Sequence, residues 1–387
     1  MKVCLVHNHY QQPGGEDQVF AAEGRLLEDG GHELIRYTVS NDGVDGAGRL
    51  ALARSTVWNS ARYRELRHLF QTGRPDVVHV HNTLPLISPA VYYAAKAEGA
   101  AVVQTLHNYR LSCVNGLFFR DGRVCEDCVG SFVPWAGVAR GCYRESRAAS
   151  GVVAGMLGFH KLRNTYHETV DLYVALTDFA RRKFVEAGLP AAKIVVKPNF
   201  LEVDPGLGSG RGGYALFVGR LSREKGLDTL LAAWQQFGGR LPLKVVGDGP
   251  LANQVAGSRV KGVEWLGRQP RERVIKLLQG SALLVFPSVW YEGFPLTLIE
   301  AFAVGLPVVA SRLGSMASIV EHERTGLHFE PGDASDLVAQ IEWALSRPTA
   351  LAQIRREARA EYESKYTAES NYGMLLDIYE RAISGGR

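Results

Sequence analysis

The 387-residue sequence has no apolar run that reaches the ~18–20 residues needed to cross a bilayer. Its N-terminus, MKVCLVHNHY, lacks the long apolar segment of a signal peptide and is typical of a first strand. The excess of positive charge is small, with 44 Lys and Arg against 40 Asp and Glu, which does not predict a nucleic-acid partner. We therefore expect a globular cytoplasmic protein, long enough for two domains.

Two ligand-binding motifs are also missing. No Asp-x-Asp pair stands at the end of a predicted strand, so we expect no catalytic divalent metal. The first predicted strand, Val3–Val6, is not followed by the G-x-G-x-x-G turn that binds dinucleotides. A polar loop, His7–Asp17, follows it instead and contains Gly14 and Gly15, before a helix predicted over 19–27. A glycine pair lets the backbone approach a ligand closely.

Two further predicted strands end in the same pair of polar residues. The strand over 76–80 ends in His81-Asn82, and the strand over 101–106 ends in His107-Asn108. Because the carboxyl ends of strands in an open α/β sheet face the ligand crevice, either histidine could contact a substrate. A histidine at a strand end is about as often a partner for a local carbonyl group.

Cysteine is scarce but clustered. Four of the five cysteines have the spacing C-x11-C-x2-C-x13-C, and the fifth, Cys4, is interpreted as a core residue. In a cytosolic protein such clustering indicates a metal site rather than disulfides. The sequence predicts a structural zinc bound by four thiolates, with unbound cysteines or an iron–sulfur cluster as alternatives. The candidate ligands are Cys113, Cys125, Cys128 and Cys142.

An apolar segment rich in small residues, 148–159, has basic residues at both ends. Arg144 and Arg147 precede it, and Lys161 and Arg163 follow. This pattern is typical of a helix lying in an anionic membrane interface. The pattern is also typical of a helix that packs closely on its own domain, and the sequence favours that second interpretation slightly.

A glycine-rich segment, 204–213, marks the predicted domain boundary. After it, a predicted strand over 214–218 leads into the loop Gly219–Gly226 and a helix. Arg220 and Lys225 lie five apart on this loop and could converge on a diphosphate group. The alternative is a solvated basic turn.

The stretch FPSVWYEGFPLTLIEAFAVGLPVVAS combines a predicted buried strand, 282–286, with a loop and a helix that begins near Pro295. Glu300 lies roughly 6–9 Å along the axis from the start of that helix. The helix N-terminus can hold a phosphate group while a carboxylate further along accepts from ribose hydroxyls. Alone, Glu292 and Glu300 at this spacing would favour two surface glutamates on a buried unit.

The segments E-G-F-P-L-T-L-I-E-A and G-R-L-S-R-E-K-G together resemble the signatures of retaining glycosyltransferase family 4. That family has the GT-B fold, in which two Rossmann-like α/β domains face each other across a cleft. The resemblance implies an acceptor-binding domain over 1–203 and a nucleotide-sugar-binding domain over 204–368. It also implies that a C-terminal helix, about 369–387, packs back on the first domain.

The resemblance assigns a role to each matching position. It implies that Glu292, His107, Lys225 and Arg220 are catalytic, with Arg220 and Lys225 binding the pyrophosphate. It implies that the donor-binding residues are Gly14, Gly15, Arg220, Lys225, Arg268, Gly293, Phe294, Pro295, Leu296 and Glu300. The cysteine cluster is not part of the family signature.

The reaction implied by the resemblance is transfer of a sugar from a nucleoside-diphosphate sugar to an acceptor hydroxyl, with retention of anomeric configuration. This is the activity of a hexosyltransferase in the EC 2.4 class. The implied acceptor is a saccharide or lipid-linked saccharide in polysaccharide or glycolipid synthesis, with peripheral membrane contact through the first domain. No cofactor is expected for catalysis. The alternatives are a sugar-nucleotide epimerase of the same fold and a non-catalytic sugar-nucleotide-binding module.

Overall fold

A computed structural model describes residues 1–11, 14–42 and 48–385. The chain divides into two compact units. The first unit comprises Met1–Phe118, Glu126–Asn199 and Asn371–Arg387, and the second comprises Phe119–Cys125 and Phe200–Ser370. The predicted boundary, between residues 203 and 204, lies close to the observed change at Asn199. Positions 12–13 of the predicted first loop and 386–387 of the predicted last helix lie outside the described residues.

The first half of the chain alternates strands and helices. Its elements are β1 (Lys2–His9), α1 (Gly15–Asp29), β2 (Glu33–Ser40), α2 (Arg49–Val57), α3 (Ser60–Gly73), β3 (Val77–Val80), α4 (Ala90–Ala97), β4 (Ala101–Leu106), β5 (Phe119–Arg120), β6 (Arg123–Val124), α5 (Trp135–Ala139), α6 (Arg147–Leu162), α7 (Thr165–Glu168), β7 (Leu172–Ala175), α8 (Asp178–Glu186) and β8 (Ile194–Val196). Six of these strands form a parallel sheet in the order β2-β1-β3-β4-β7-β8, while β5 and β6 pair as a short antiparallel hairpin.

The second half repeats the same alternation. Its elements are β9 (Ala215–Val218), α9 (Leu227–Phe237), β10 (Leu243–Val246), α10 (Ala252–Ala256), β11 (Val263–Trp265), α11 (Arg271–Gly280), β12 (Leu283–Phe286), α12 (Leu296–Ala303), β13 (Val308–Ser311), α13 (Gly314–Ile319), β14 (Gly326–Phe329), α14 (Ala334–Ser346), α15 (Pro348–Lys365) and α16 (Ala368–Gly385). The six strands form a second parallel sheet, β11-β10-β9-β12-β13-β14.

The central strands of both sheets are mostly buried because helices cover both faces of a parallel sheet, and β9 and β12 of the second sheet contain apolar residues only. In the first unit, Leu375, Ile378 and Tyr379 of α16 pack into the core that contains Val3 and Leu5 of β1. Burial of these apolar side chains holds the C-terminal helix in the first unit. In the described part of the chain, no helix combines the length and hydropathy of a membrane span.

The structure corrects two predicted boundaries near the N-terminus. The first strand was predicted to end at Val6 but continues to His9, since the polar residues His7 and Asn8 are fully buried in the sheet. The first helix was predicted over 19–27 but begins at Gly15. The apolar pattern starts late, whereas the backbone turns into the helix at the glycine pair.

Candidate active site

The predicted nucleotide-binding residues of the second unit gather at one edge of its sheet. The chain runs from β9 outward to β11 and then returns to place β12 on the other side of β9. In open α/β sheets this reversal of strand order opens a crevice beyond the carboxyl ends of the two strands. Arg220 and Lys225 follow β9, and Glu292 follows β12. The fold therefore places all three at the switch point of the second sheet.

Glycines without side chains allow the loops at this edge to lie against each other. Gly226 has φ of 72°, and a Cβ there would lie 1.8 Å from the carbonyl oxygen of Pro287. Gly247 has φ of 138°, and its Cβ would lie 1.8 Å from the carbonyl oxygen of Gly219. A further link is the hydrogen bond from the Val289 amide to the Glu224 carbonyl, at 2.9 Å. The backbone thus fixes the loop of Arg220 and Lys225 against the loop of Glu292.

Lys225 and Glu292 form the central ion pair of this edge. The Lys225 Nζ donates to both carboxylate oxygens of Glu292, at 2.7 and 3.0 Å. The Ser288 hydroxyl donates to the same carboxylate at 2.6 Å. Glu292 is buried, and the ammonium group lies 5.4 Å from the centre of the Trp290 ring. Each group is held in place by the other, so an anionic ligand would meet a lysine whose position is already set.

Two predicted cationic contacts are exposed at the same edge. The side chain of Arg220 projects from the loop after β9, and Arg268 follows β11. Among the residues that the structure describes, neither guanidinium group has an ion-pair partner. Two exposed arginines and a partly exposed lysine at the same edge of the sheet give that edge positive charge, which favours a phosphate-bearing ligand.

Glu300 lies inside α12, one turn beyond the first residue of the helix. Pro295 is the N-cap residue and Leu296 the first helical residue, so Gly293 and Phe294 form the approach to the helix N-terminus. Burial raises the pKa of Glu300, while the nearby Arg271 guanidinium, 3.4 Å from Oε1, opposes that rise. The carboxyl group is nearly enclosed and can accept from a hydroxyl that enters beside it.

In the first unit, Gly14 and Gly15 form the start of α1. The Gly14 amide donates to the Asp17 carboxylate at 2.8 Å, and Asp17 also accepts from His7 and His9 at 2.9 and 3.0 Å. Burial would raise the pKa of Asp17, but these hydrogen bonds outweigh it and hold the pKa below its ordinary value. The Asp17 carboxylate of the protein itself therefore already accepts the hydrogen bond that the Gly14 amide donates.

Glu16, in the same helix turn as Asp17, has a different protonation state. Glu16 Oε2 accepts from the Tyr10 hydroxyl at 3.1 Å and from the Asn108 side-chain amide at 3.4 Å. Only 10% of the Glu16 side chain is exposed. Burial is the main cause that raises the pKa of Glu16 to about 8. This carboxyl group is protonated at neutral pH, next to the loop that follows His107.

His107 is partly buried and lies at the end of a chain of polar groups whose other members are buried. Its Nε2 lies 2.9 Å from His81 Nδ1, and His81 Nε2 lies 3.4 Å from Glu23 Oε2. Glu23 also forms a fully buried ion pair with Lys197, at 2.7 Å. Burial lowers the pKa of His107, and the neighbouring His81 lowers it further. The two predicted histidines are thus in direct contact, and His107 is neutral at physiological pH.

The four cysteines of the predicted zinc site lie in buried or partly buried positions. Cys113 and Cys128 are buried, and the Cys113 thiol donates to Asn115 at 3.0 Å. Over the described ranges, the groups of three or more metal-ligating atoms within 4.8 Å of one another contain histidines and carboxylates but no cysteine. The structure therefore adds no support for a zinc bound by Cys125, Cys142 and their neighbours, and the zinc site stays a prediction.

The interpretation of the sequence missed the polar residues of the first unit. Glu16 and Asp17 fall in the predicted loop, and Glu23 falls inside a helix pattern, where a carboxylate is usually solvent-exposed. These three residues and Lys197 therefore received no role. A signal was available for Glu16 and Asp17, which directly follow the glycine pair at a helix start. Glu23 and Lys197 are 174 positions apart and carry no local signal.

Two family models match this chain, one on each half. The model described as glycosyl transferase 4-like domain matches residues 13–199. The model described as glycosyl transferases group 1 matches residues 207–361. Together these models extend over most of the sequence.

Individual relatives match over shorter stretches. D-rhamnosyltransferase WbpZ of Pseudomonas aeruginosa is 35% identical over 40% of this chain and 42% of its own length. The amylovoran biosynthesis glycosyltransferase AmsK of Erwinia amylovora is 28% identical over 54% of this chain and 56% of its own. The chain thus spans about half the length of these relatives. The solved structure of Anabaena HepE in complex with UDP-glucose aligns with a TM-score of 0.69 at 16% identity, over 97% of this chain and 98% of HepE.

Proposed function

Because this chain belongs to the GT-B glycosyltransferases, we propose that it is a retaining transferase. Its first half matches a glycosyl transferase 4-like domain, and its second half matches a glycosyl transferases group 1 domain. It moves a sugar from a nucleoside-diphosphate sugar to an acceptor hydroxyl. The observation that carries the proposal is the switch point of the second sheet, where Lys225 contacts Glu292 and Arg220 lies on the same loop as Lys225, with both loops fixed by glycine contacts.

The positive charges at this edge suit a leaving diphosphate. As the bond from the anomeric carbon to the diphosphate oxygen breaks, negative charge grows on that oxygen. Lys225 and Arg220 stabilise this charge more strongly in the transition state than in the bound donor, which lowers the barrier. No divalent metal is assigned to this step, because the two side chains and the α12 N-terminus supply positive charge at that position.

Glu292 is proposed to bind hydroxyl groups of the transferred sugar, next to the amides of Gly293 and Phe294. Glu300 is proposed to accept from the ribose hydroxyls. The acceptor oxygen attacks on the face that the diphosphate leaves, so configuration is retained. The acceptor proton passes to the departing diphosphate oxygen, which balances the reaction without a protein nucleophile. His107, neutral and held by His81, is proposed to contact the donor sugar.

The donor is proposed to be a UDP-sugar and the acceptor a saccharide or lipid-linked saccharide. HepE, whose fold matches over nearly the whole chain, was solved with UDP-glucose, which supports the choice of base. WbpZ and AmsK are named for rhamnosyl transfer and for amylovoran biosynthesis, which supports a role in polysaccharide or glycolipid synthesis. We propose a cytoplasmic location for the active protein, because its proposed donor is a nucleotide sugar.

The test is a screen of UDP-, GDP- and ADP-sugars by thermal shift, followed by turnover of the donors that bind. A ligand that binds the native state raises the unfolding temperature by mass action, so the true donor class should give the largest shift. Release of nucleoside diphosphate should increase when a suitable acceptor is added, and the product should keep the anomeric configuration of the donor.

Two outcomes would replace the proposal. Conversion of the donor into an isomer with no acceptor present identifies an epimerase of the same fold. Tight binding of a nucleotide sugar without turnover, over a broad set of saccharide acceptors, identifies a non-catalytic binding module. NMR of the sugar product distinguishes these outcomes from transfer.

A further inference from the structure

The first unit contains an apolar pocket that the proposed donor chemistry does not use. Its volume is about 490 Å³, which is within the range of roughly 300–1,000 Å³ typical of small-molecule sites. Leu52 and Ala53 of α2 form one wall, Val152 and Val153 of α6 form another, and Leu84 closes the pocket between them. A ligand in this pocket would meet hydrocarbon on most sides.

The polar part of the same pocket is cationic. Arg110 and Arg144 line it together with Tyr143, and none of the described residues that line it is acidic. The two guanidinium groups lie 5.0 and 5.6 Å from the centre of the Tyr143 ring, so one aromatic ring holds both cations. Across the described residues, neither arginine has a carboxylate within ion-pairing distance. Ser146, also in the lining, is the N-cap of α6, so the positive end of that helix dipole adds to the same charge.

An exposed apolar stripe on α6 continues from the pocket. Residues at positions 148, 152, 155, 159 and 162 share one face of the helix, because successive residues are about 100° apart. They are Ala148, Val152, Gly155, Phe159 and Leu162. Phe159 is 43% and Leu162 73% exposed, and α6 contains no acidic residue. The opposite face of α6 packs into the core of the first unit.

We propose that this pocket and the α6 stripe bind an amphiphile, in which a hydrocarbon chain is joined to a phosphate or diphosphate group. The chain lies in the pocket and along the stripe, and the phosphate lies between Arg110 and Arg144. An apolar cavity beside two unpaired cations matches such a molecule at both of its ends, whereas a free saccharide would leave the leucine and valine side chains without apolar contact.

This inference rests on the proposed function, since it names the acceptor class as a lipid-linked phosphate. Arg110 lies three residues after His107, and its amide donates to Asn108 at 3.1 Å. The phosphate subsite is therefore next to the carboxyl end of β4, where the proposed function places the donor sugar. A membrane-embedded lipid would bring its headgroup, with the saccharide attached to it, to that strand end.

The experiment is isothermal titration calorimetry of the full chain with farnesyl phosphate. Farnesol, which lacks the phosphate group, and inorganic phosphate, which lacks the hydrocarbon chain, are titrated for comparison. Arg144→Gln removes a cation, and Val152→Asp places a charge in the apolar wall. The matched controls are Arg64→Gln, an exposed arginine of α3, and Leu345→Asp, an exposed apolar residue of α14. Circular dichroism and thermal melting check that all four variants fold.

Farnesyl phosphate should bind the wild type more tightly than either half-ligand. Each pocket variant should weaken binding by about tenfold or more, the usual effect of one charge-assisted contact or one buried charge. Both controls should bind within about twofold of the wild type by the same reasoning. The inference is overturned if farnesyl phosphate does not bind, if inorganic phosphate binds equally well, or if pocket and control variants behave alike. Should Val152→Asp fail to fold, Arg144→Gln decides the result.

The α6 stripe has its own arm of the experiment. Phe159→Asp should reduce flotation with phosphatidylcholine vesicles that carry a long-chain isoprenyl phosphate, relative to the wild type and to Leu345→Asp. Equal flotation of all three proteins would contradict a role for the stripe. Vesicles with phosphatidylglycerol in place of the isoprenyl phosphate test whether general negative charge is sufficient, and equal binding to them would contradict a specific lipid acceptor.

Failure of this inference is separable from failure of the proposed function. Binding of UDP to the same preparations reports on the proposed nucleotide site and does not depend on the apolar pocket. If UDP binds and farnesyl phosphate does not, only the lipid site is wrong. If farnesyl phosphate binds and no nucleoside diphosphate does, the amphiphile site stands and the transferase proposal falls.

Discussion

The two parallel sheets present opposite kinds of charge arrangement at their carboxyl edges. At the edge of the second sheet, Arg220 is exposed and Lys225 partly exposed, on loops held by glycines. At the edge of the first sheet, Glu23 and Lys197 are fully buried and neutralise each other. Repeated α/β architecture can therefore support either an open ligand-binding edge or a rigid internal polar network. Exposure decides which, because a charge that faces water can exchange its partner for a ligand at little cost.

The first prediction concerns the buried ion pair between Glu23 and Lys197. Lys197→Met leaves the Glu23 carboxylate buried without its cation, and also removes the donor to Asn371. We expect the free energy of unfolding to fall by about 3–5 kcal/mol, the cost of an uncompensated buried charge. Urea denaturation at pH 7 measures this change.

The control is Lys2→Met, which breaks the partly exposed pair with Glu33 and should cost about 1 kcal/mol or less. The double variant Glu23→Gln/Lys197→Met removes both charges and should regain part of the loss. Equal effects of Lys197→Met and Lys2→Met would show that burial does not separate the two kinds of pair.

The second prediction concerns Glu16, whose folded-state pKa is raised to about 8 from an ordinary 4.5. At a pH between these two values, Glu16 has lost its proton in the unfolded chain but keeps it in the folded chain. The contribution of Glu16 to stability is therefore fully present below pH 4.5 and is lost as pH rises to 8. Because the glutamine in Glu16→Gln cannot ionise, this variant should not show that loss of stability with rising pH.

The measurement is the free energy of unfolding of the wild type and Glu16→Gln from pH 5 to pH 8. The stability of the wild type relative to the variant should fall by about 2–4 kcal/mol over that range, since one pKa unit corresponds to about 1.4 kcal/mol. Taking the difference cancels the buried histidines, which titrate in both proteins. A constant difference across the range would mean that Glu16 is ionised in the folded protein.

Local motifs explain why the second unit was the more predictable one. The loop Gly219–Gly226 and the helix after Pro295 each lie within about ten residues, so their spacing determines where Lys225 and Glu300 stand. Both parallel sheets and the edge location of these residues follow from strand and helix periodicity. The Lys225–Glu292 contact links two loops 67 positions apart, and the sequence did not predict it.

The first unit was harder to predict for the same physical reason. Its polar network depends on the strand order β2-β1-β3-β4, which brings His7, His81 and His107 to one edge. A histidine or lysine inside an apolar strand gives no sign of its partner when that partner comes from a distant element. The helix start at Gly15 was missed because the Asp17 carboxylate, rather than an apolar repeat, defines it.

The smallest expected effect belongs to Glu300 in the second unit. Glu300→Ala removes an acceptor for ribose hydroxyls that are bound equally in the ground and transition states, so it should raise the donor KM by about tenfold and leave kcat nearly unchanged. Steady-state kinetics with the best donor measures both constants. Glu342→Ala, on an exposed pair with Arg240, is the matched control. A fall in kcat alone would place Glu300 at the reacting sugar instead.

The central claim is that the cationic edge of the second sheet stabilises a departing diphosphate, and Lys225→Ala tests it most directly. The measurement is kcat for release of nucleoside diphosphate from the donor, beside the melting temperature, for the wild type, Lys225→Ala and Lys276→Ala. Lys276 is an exposed lysine of α11 and serves as the control. We predict that kcat falls by ~10²–10³-fold in Lys225→Ala and stays at the wild-type value in Lys276→Ala. Because Lys225→Ala also leaves the buried Glu292 carboxylate without its cation, the melting temperature is used to confirm that the variant is folded at the assay temperature. Wild-type turnover by Lys225→Ala would contradict the assignment of this edge as the active site.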